Sequence, residues 1–195
     1  ALAALTIEAA GTITNVVNKA NVSINMTSAT DTSVAIAGIV AINSAKLVNC
    51  KNYGAVTYIN LAASHGALIA GLAAYSDGGI ENGENHGNVT VSVPYLSSFG
   101  TVKNITNNPI HIGGLVAYLG ANAPIANSVN NGDIDYDITS IESLEVSCGT
   151  NRPRMGGIAG MAQSSITSCI NNGKIDVVVS TSNQSVYTTN NYPIN

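Results

Sequence analysis

Tryptophan is absent from the 195 residues, phenylalanine occurs once, and charged side chains make up only 9%, against about 25% in a typical globular domain. A chain this poor in rings and charges cannot build its core from large aromatics. It has to stack small and β-branched side chains closely. The seven basic residues are dispersed and the net charge is -4, which excludes the clustered Lys/Arg surface that nucleic acid requires. No apolar run approaches the ~18 residues of a membrane span, and there is no basic n-region of a signal peptide. Cysteine is scarce, with three in all, and has no zinc-ligand spacing. Ile and Val are frequent and periodic, and mean hydropathy is +0.22, so disorder is not expected.

What is present is a repeat. Met155-Gly156-Gly157-Ile158-Ala159-Gly160 has earlier copies at Ile112 to Ala117, Ile69 to Ala74 and Ile36 to Ala41. A second block runs Ile13, Asn15, Asn18, Ala20, Val22 and is repeated over Leu47 to Val56, Ile80 to Val89, Ile125 to Ile134 and Ile166 to Ile175. Its Gly/Ala falls at 20, 54, 87, 132 and 173, at spacings of 34, 33, 45 and 41. Self-similarity at this period marks a solenoid. The predicted fold is all-β, a parallel β-solenoid of repeats over approximately 2–35, 36–68, 69–111, 112–154 and 155–195.

After each Gly/Ala the chain alternates. Val22, Ile24, Met26; Val56, Tyr58, Asn60; Val89, Val91, Val93; Ile134, Tyr136, Ile138; and Ile175, Val177, Val179 fall on one face, as in a half-buried strand. The glycine before each strand is expected to supply a turn with positive φ. The Gly-Gly-Ile/Leu block is small or apolar on both faces, which suits a strand buried on both sides. Each coil thus has at least two strands joined by an Asn-rich turn. The extra length of later coils sits at one corner, over Pro94 to Ile110 and Thr139 to Arg154. Leu2-Ala3-Ala4-Leu5 aligns with the Gly-Gly-Leu block, and Tyr192-Pro193-Ile194-Asn195 matches Asn108-Pro109-Ile110-His111. Neither end carries a polar cap, so the sequence reads as a segment of a longer repeat protein, or one that pairs end to end.

The Gly-Leu-x-Gly element followed by Ile-x-Asn-Cys-x-Asn-x-Gly-x-Ile resembles the GLUG repeat of large secreted and surface proteins, among them bacterial adhesins and regions flanking immunoglobulin-cleaving peptidases. Gly157-Ile158-Ala159-Gly160 with Cys169, Asn171 and Gly173 is the nearest copy; three others carry Ala for the last glycine, and the first lacks both glycines. The resemblance implies a β-solenoid in an extracellular or cell-surface setting, and it brings no catalytic residue.

Individual side chains are weighed against this scaffold. Asn15, Asn49, Asn82, Asn127 and Asn18, Asn52, Asn85, Asn130, Asn171 form two columns expected to bond along the axis as ladders, with a carbohydrate-binding row as the alternative. Cys50 and Cys169 share a column three coils apart, about 14 Å at the inter-strand spacing, too far for a disulfide; Cys148 lies in an insertion. Asp133, Asp135 and Asp137 with Asp176 one rung away are the weak calcium or carbohydrate-cleaving candidates, against a solvated strand face that continues as Ser23, Thr57 and Thr90. His65, His86 and His111 lie near predicted turns with no acidic partner at ligand spacing. Tyr75 and Tyr118 are vertical neighbours expected to stack, with a sugar platform as a secondary reading. Glu142, Glu145, Arg152 and Arg154 mark the last insertion as the first place to look for a partner. Sequons occur at Asn21, Asn25, Asn88, Asn104 and Asn183 and permit N-glycosylation.

The expectation is a non-catalytic, structural or adhesive segment of a large extracellular or cell-surface protein, with no cofactor. Its partners would be other repeats of the same protein or copies stacked end to end, and possibly a host or matrix protein or a glycan. The alternatives are a carbohydrate-binding or carbohydrate-active β-helix, and an accessory domain beside a secreted peptidase.

Overall fold

The structure, a computed structural model, describes residues 6–7, 11–27, 34–60, 66–93, 110–138 and 153–179. It is all-β and parallel throughout: five parallel sheets, with successive coils adding one strand to each in register. The fold is a parallel β-solenoid. In chain order within a coil, sheet I holds Val34–Ala37, Ala67–Ala70, His111–Gly113 and Arg154–Gly156. Sheet II holds Thr6–Ile7, Val40–Asn43, Ala73–Ser76, Val116–Leu119 and Ala159–Ala162. Sheet III holds Thr12–Thr14, Lys46–Val48, Ile80–Glu81, Ile125–Ala126 and Ile166–Thr167. Sheet IV holds Val17–Asn18, Lys51–Asn52, Glu84–Asn85, Val129–Asn130 and Ile170–Asn171. Sheet V holds the alternating strands Val22–Met26, Val56–Asn60, Val89–Val93, Ile134–Ile138 and Ile175–Val179.

The alternation does what period two requires. Val56, Tyr58 and Asn60 are buried while Thr57 and Ile59 are only partly so, and Val89, Val91 and Val93 repeat the pattern. These side chains pack on Ile36, Ile69 and Ile112 of sheet I. Burying each such aliphatic is worth about 1.5–3 kcal/mol, so one such layer per coil is a substantial part of what holds the stack. Asn60, the polar entry in this face, donates to the Tyr58 hydroxyl at 3.1 Å. A second core gathers Ile39, Leu72 and Leu115 at the I–II bend with Leu47, Ile80 and Ile125 of sheet III.

Sheet I is covered on its other side as well. A Cβ on Gly160, in the column of Ala41, Ala74 and Ala117, would meet the backbone of Ile112 at 2.7–2.9 Å. The small residues of sheet II therefore let its backbone lie directly on sheet I. This is why the Gly-Gly-Ile/Leu block shows no polar face in sequence.

Two sequence expectations are corrected. The Asn-rich turn is two further short strands, those of sheets III and IV, with a bend between them. That bend takes positive φ at Asn15, Asn49, Asn82, Asn127 and Ser168, between 50° and 57°. Asn is the L-residue that tolerates this region best. The glycines at 54, 87, 132 and 173 do not have positive φ. They are glycine for space: a Cβ on Gly87 would fall on the Gly54 carbonyl oxygen, and one on Gly132 on the Gly87 carbonyl.

Candidate functional site

The most organised polar feature is the buried asparagine column of sheet IV. Asn18 Nδ2 donates to Asn52 Oδ1 at 2.8 Å, Asn52 to Asn85 at 2.9 Å, Asn85 to Asn130 at 2.8 Å and Asn130 to Asn171 at 2.7 Å. Each amide also donates to the carbonyl two residues on, as Asn85 does to Gly87 O at 2.8 Å. Asn52, Asn85 and Asn130 are 0% exposed, so these bonds satisfy groups that water cannot reach. The glycines 38, 71, 114 and 157 at the I–II bend make room for them, since a Cβ on any would collide with the adjoining asparagine. The outer column is a looser ladder of opposite polarity, with Asn49 donating to Asn15 at 3.3 Å and Asn82 to Asn49 at 3.2 Å. The buried ladder leaves no amide of Asn52, Asn85 or Asn130 available to a glycan.

The carboxylates are spread rather than gathered. Asp133 Oδ1 accepts the Lys174 backbone N–H at 2.8 Å, just as Asn88 Oδ1 accepts that of Asp133 at 3.1 Å and Asn21 Oδ1 that of Ala55 at 2.9 Å. This column ties each coil to the next. Asp135 and Asp176 are register partners, and Asp137 pairs with Val178. Among the described residues no group of three or more His, Cys, Asp or Glu is placed to hold a metal ion.

A mixed cluster forms where sheet II runs back along sheet I. The Tyr75 and Tyr118 rings stack at 5.5 Å, and His111 meets Tyr118 edge-on at 5.6 Å. Tyr75 donates its hydroxyl to Asp77 at 2.7 Å, and this bond, with partial burial, pushes the phenol up to about 12. Arg154 is the strand neighbour of His111. His111 is 5% exposed and its Nδ1 has no hydrogen-bond partner. Burial, and then the nearby Arg154 charge, lower its pKa from the usual value, so the ring is held neutral. Both long insertions rejoin the scaffold here, at Ile110 and Pro153. The stacking direction matters: the rings turn their faces to one another along the axis, so the pair offers no broad open platform for a sugar. His111 lies in a strand rather than a turn.

A second cluster lies on sheet IV. Lys51 pairs with Glu84 at 2.8 Å, and Glu84 also bonds His86 Nε2 at 2.9 Å. The bond from Lys51, then that from His86, holds the Glu84 carboxyl below its usual range. His86 stacks on Tyr53 at 4.6 Å, nearly parallel. His86 thus has an acidic partner, contrary to the sequence expectation; the signal was the Glu-Asn-His spacing, which puts Glu84 and His86 on one side of a strand. Sequence reasoning also passed over buried Asn43, which donates to Ser76 Oγ at 3.2 Å and accepts the Ala45 N–H at 3.1 Å.

Cys50 and Cys169 are free thiols, three rungs apart in the bend that precedes the strands of sheet IV, and burial pushes the Cys50 thiol up. Asn21, Asn25 and Asn88 are exposed. Glu142, Glu145, Arg152, Asn104, Asn183, His65 and Cys148 lie outside the described residues; of the proposed partner loop only Arg154 is placed, exposed at the start of its strand. No protein-family model matches the chain, and no curated protein matches it.

Proposed function

We propose that the chain is a rigid, non-catalytic scaffold segment, structural or adhesive, of a large extracellular or cell-surface protein. The observation that carries this reading is the buried ladder, unbroken from Asn18 to Asn171 at 2.7–2.9 Å. A row of amides satisfied by its own copies and by the backbone two residues on fixes rung spacing and direction, and it stiffens the stack because each coil depends on its neighbours. The likeness to GLUG repeats supports the surface setting. The partners on this reading are other repeats of the same parent protein along the axis, and a host or matrix protein or glycan at the insertions beside His111 and Arg154. The chain is read as acting without a cofactor.

The test is a binding screen of the folded chain against extracellular-matrix proteins and a glycan array. It is run beside a variant in which 94–109 and 139–151 are shortened to the connection length of the earlier coils. Retained solenoid circular dichroism with loss of a specific ligand in the shortened variant supports an adhesive scaffold. Unchanged binding would move the contact to the coils. No binding by either would leave the spacer reading alone.

A carbohydrate-active β-helix has one specific observation behind it, the adjacent carboxylates of Asp135 and Asp176. Release of reducing ends from a polysaccharide panel, abolished by Asp135→Asn, would replace the scaffold reading. Use beside a secreted peptidase rests on the GLUG likeness alone.

A further inference from the structure

We propose that Tyr75 and Tyr118 are a site of oxidative cross-linking, where a peroxide-driven one-electron oxidant joins two neighbouring coils through a dityrosine bond and Asp77 takes up the phenol proton of Tyr75. The two residues are register partners on adjacent strands of sheet II. Their rings stack at 5.5 Å with 23° between the planes, so two phenols are held side by side before any reaction begins. Both are partly exposed and open to a small oxidant. The other described tyrosines are placed differently. Tyr58 and Tyr136 are 1% and 5% exposed, and Tyr53 lies against the His86 ring rather than a phenol. The column continues as Ile42 on one side and Met161 on the other, so within it each phenol has one phenol neighbour. Tryptophan is absent from the chain, and no indole competes as an electron donor.

The proton has a place to go. Tyr75 donates its hydroxyl to Asp77 Oδ2 at 2.7 Å, within the reach that a proton acceptor needs. Asp77 is held there by its own backbone, whose N–H donates to Asn43 O at 2.8 Å. Its other carboxylate oxygen lies over Gly120 of the next coil, where a Cβ would collide with it. A neutral phenol gives up an electron most readily when its proton leaves as well, and the Asp77 carboxylate receives that proton; the Tyr118 proton goes to solvent. Each ring then carries an unpaired electron, shared by the carbons ortho to oxygen. A C–C bond forms between one ortho carbon of each ring, and the two ring hydrogens return to the phenol oxygens. With hydrogen peroxide as the terminal oxidant, two phenols and one peroxide give one biphenol and two waters. The bond would lock successive coils of sheet II together without calling on cysteine.

Visible-light photolysis of tris(bipyridyl)ruthenium(II) with persulfate, itself a peroxide, tests this on the whole folded chain. The expected product shows dityrosine fluorescence, runs as a single chain on a denaturing gel and has a mass lower by two hydrogens. Tandem mass spectrometry of its digest should place the link between Tyr75 and Tyr118. Tyr75→Phe and Tyr118→Phe, each checked for unchanged circular dichroism, should lower this product by about tenfold or more. Asp77→Asn should slow its formation by roughly tenfold and leave the link at the same two residues. Oxidation in denaturing urea should erase the preference for this pair. The proposal is overturned if the folded wild-type chain forms no intramolecular dityrosine, or if the link maps to other tyrosines. It is equally overturned if the pair is favoured as strongly in urea, or if Asp77→Asn reacts as fast as wild type.

Discussion

Asn52 and Asn85, 33 residues apart in sequence, share a 2.9 Å hydrogen bond between fully buried side-chain amides. Neither can be replaced without stranding the other, because Asn85 also donates to Asn130 at 2.8 Å and to Gly87 O at 2.8 Å. Asn85→Ala is therefore expected to cost about 3 kcal/mol, seen as a lower urea midpoint at unchanged m-value. Asn18→Ala, at the end of the row with one inter-coil bond, should cost about 1 kcal/mol. Equal losses at the two positions would refute the interior ladder as a cooperative unit.

The bend asparagines answer to a different rule. Asn82 sits at φ 51°, where a β-branched side chain is strained and glycine is not. Asn82→Val should lose about 1–2 kcal/mol, and Asn82→Gly should lie within about 0.5 kcal/mol of wild type. Thermal melts of the pair distinguish this backbone account from one based on the outer ladder, which both variants would remove alike.

The glycine column gives the largest expected effect. Gly87→Ala drives a methyl into the Gly54 carbonyl and toward Asn52, and neither can withdraw without opening the rung. A loss above about 3 kcal/mol is expected, read by chemical denaturation or as failure to fold. Gly11→Ala is the matched control, since a Cβ there meets nothing within 4 Å, and it should be near neutral.

His111 predicts a pH dependence. Its folded pKa is lowered from 6.5 by burial and then by Arg154, so the unfolded chain binds the proton first. Stability is full above about pH 6.5 and falls as pH drops through the folded value. His111→Gln should flatten that part of the stability–pH curve, measured by melting temperature between pH 7.5 and 4.5. An identical slope in the variant would assign the dependence to other groups.

Asp135 and Asp176 face each other across adjacent strands, where like charges repel. Asp135→Thr, which continues the Thr57–Thr90 column, should stabilise by about 0.2–1 kcal/mol, with the gain shrinking as salt is raised. A destabilised variant would mean that Asp135 has a partner that repulsion does not describe.

The repeat was legible because a solenoid writes its cross-section into the chain once per coil. Period-two alternation placed Val56, Tyr58, Val89 and Val91 in the core, and the spacing of identical residues put Tyr75 over Tyr118 and Asn52 over Asn85. It also fixed Cys50 and Cys169 too far apart to bond. Sequence could say that asparagine and glycine columns exist, but not why. Both residue types suit positive φ, and only the coordinates assign that role to Asn49 and Asn82 and close packing to Gly54 and Gly87. The cluster of Tyr118, His111 and Arg154 was likewise invisible, because it depends on sheet II folding back onto sheet I. Local pattern determined the rung; the contacts between layers were decided by the tertiary structure, because they join residues of different strands and coils that no local period brings together.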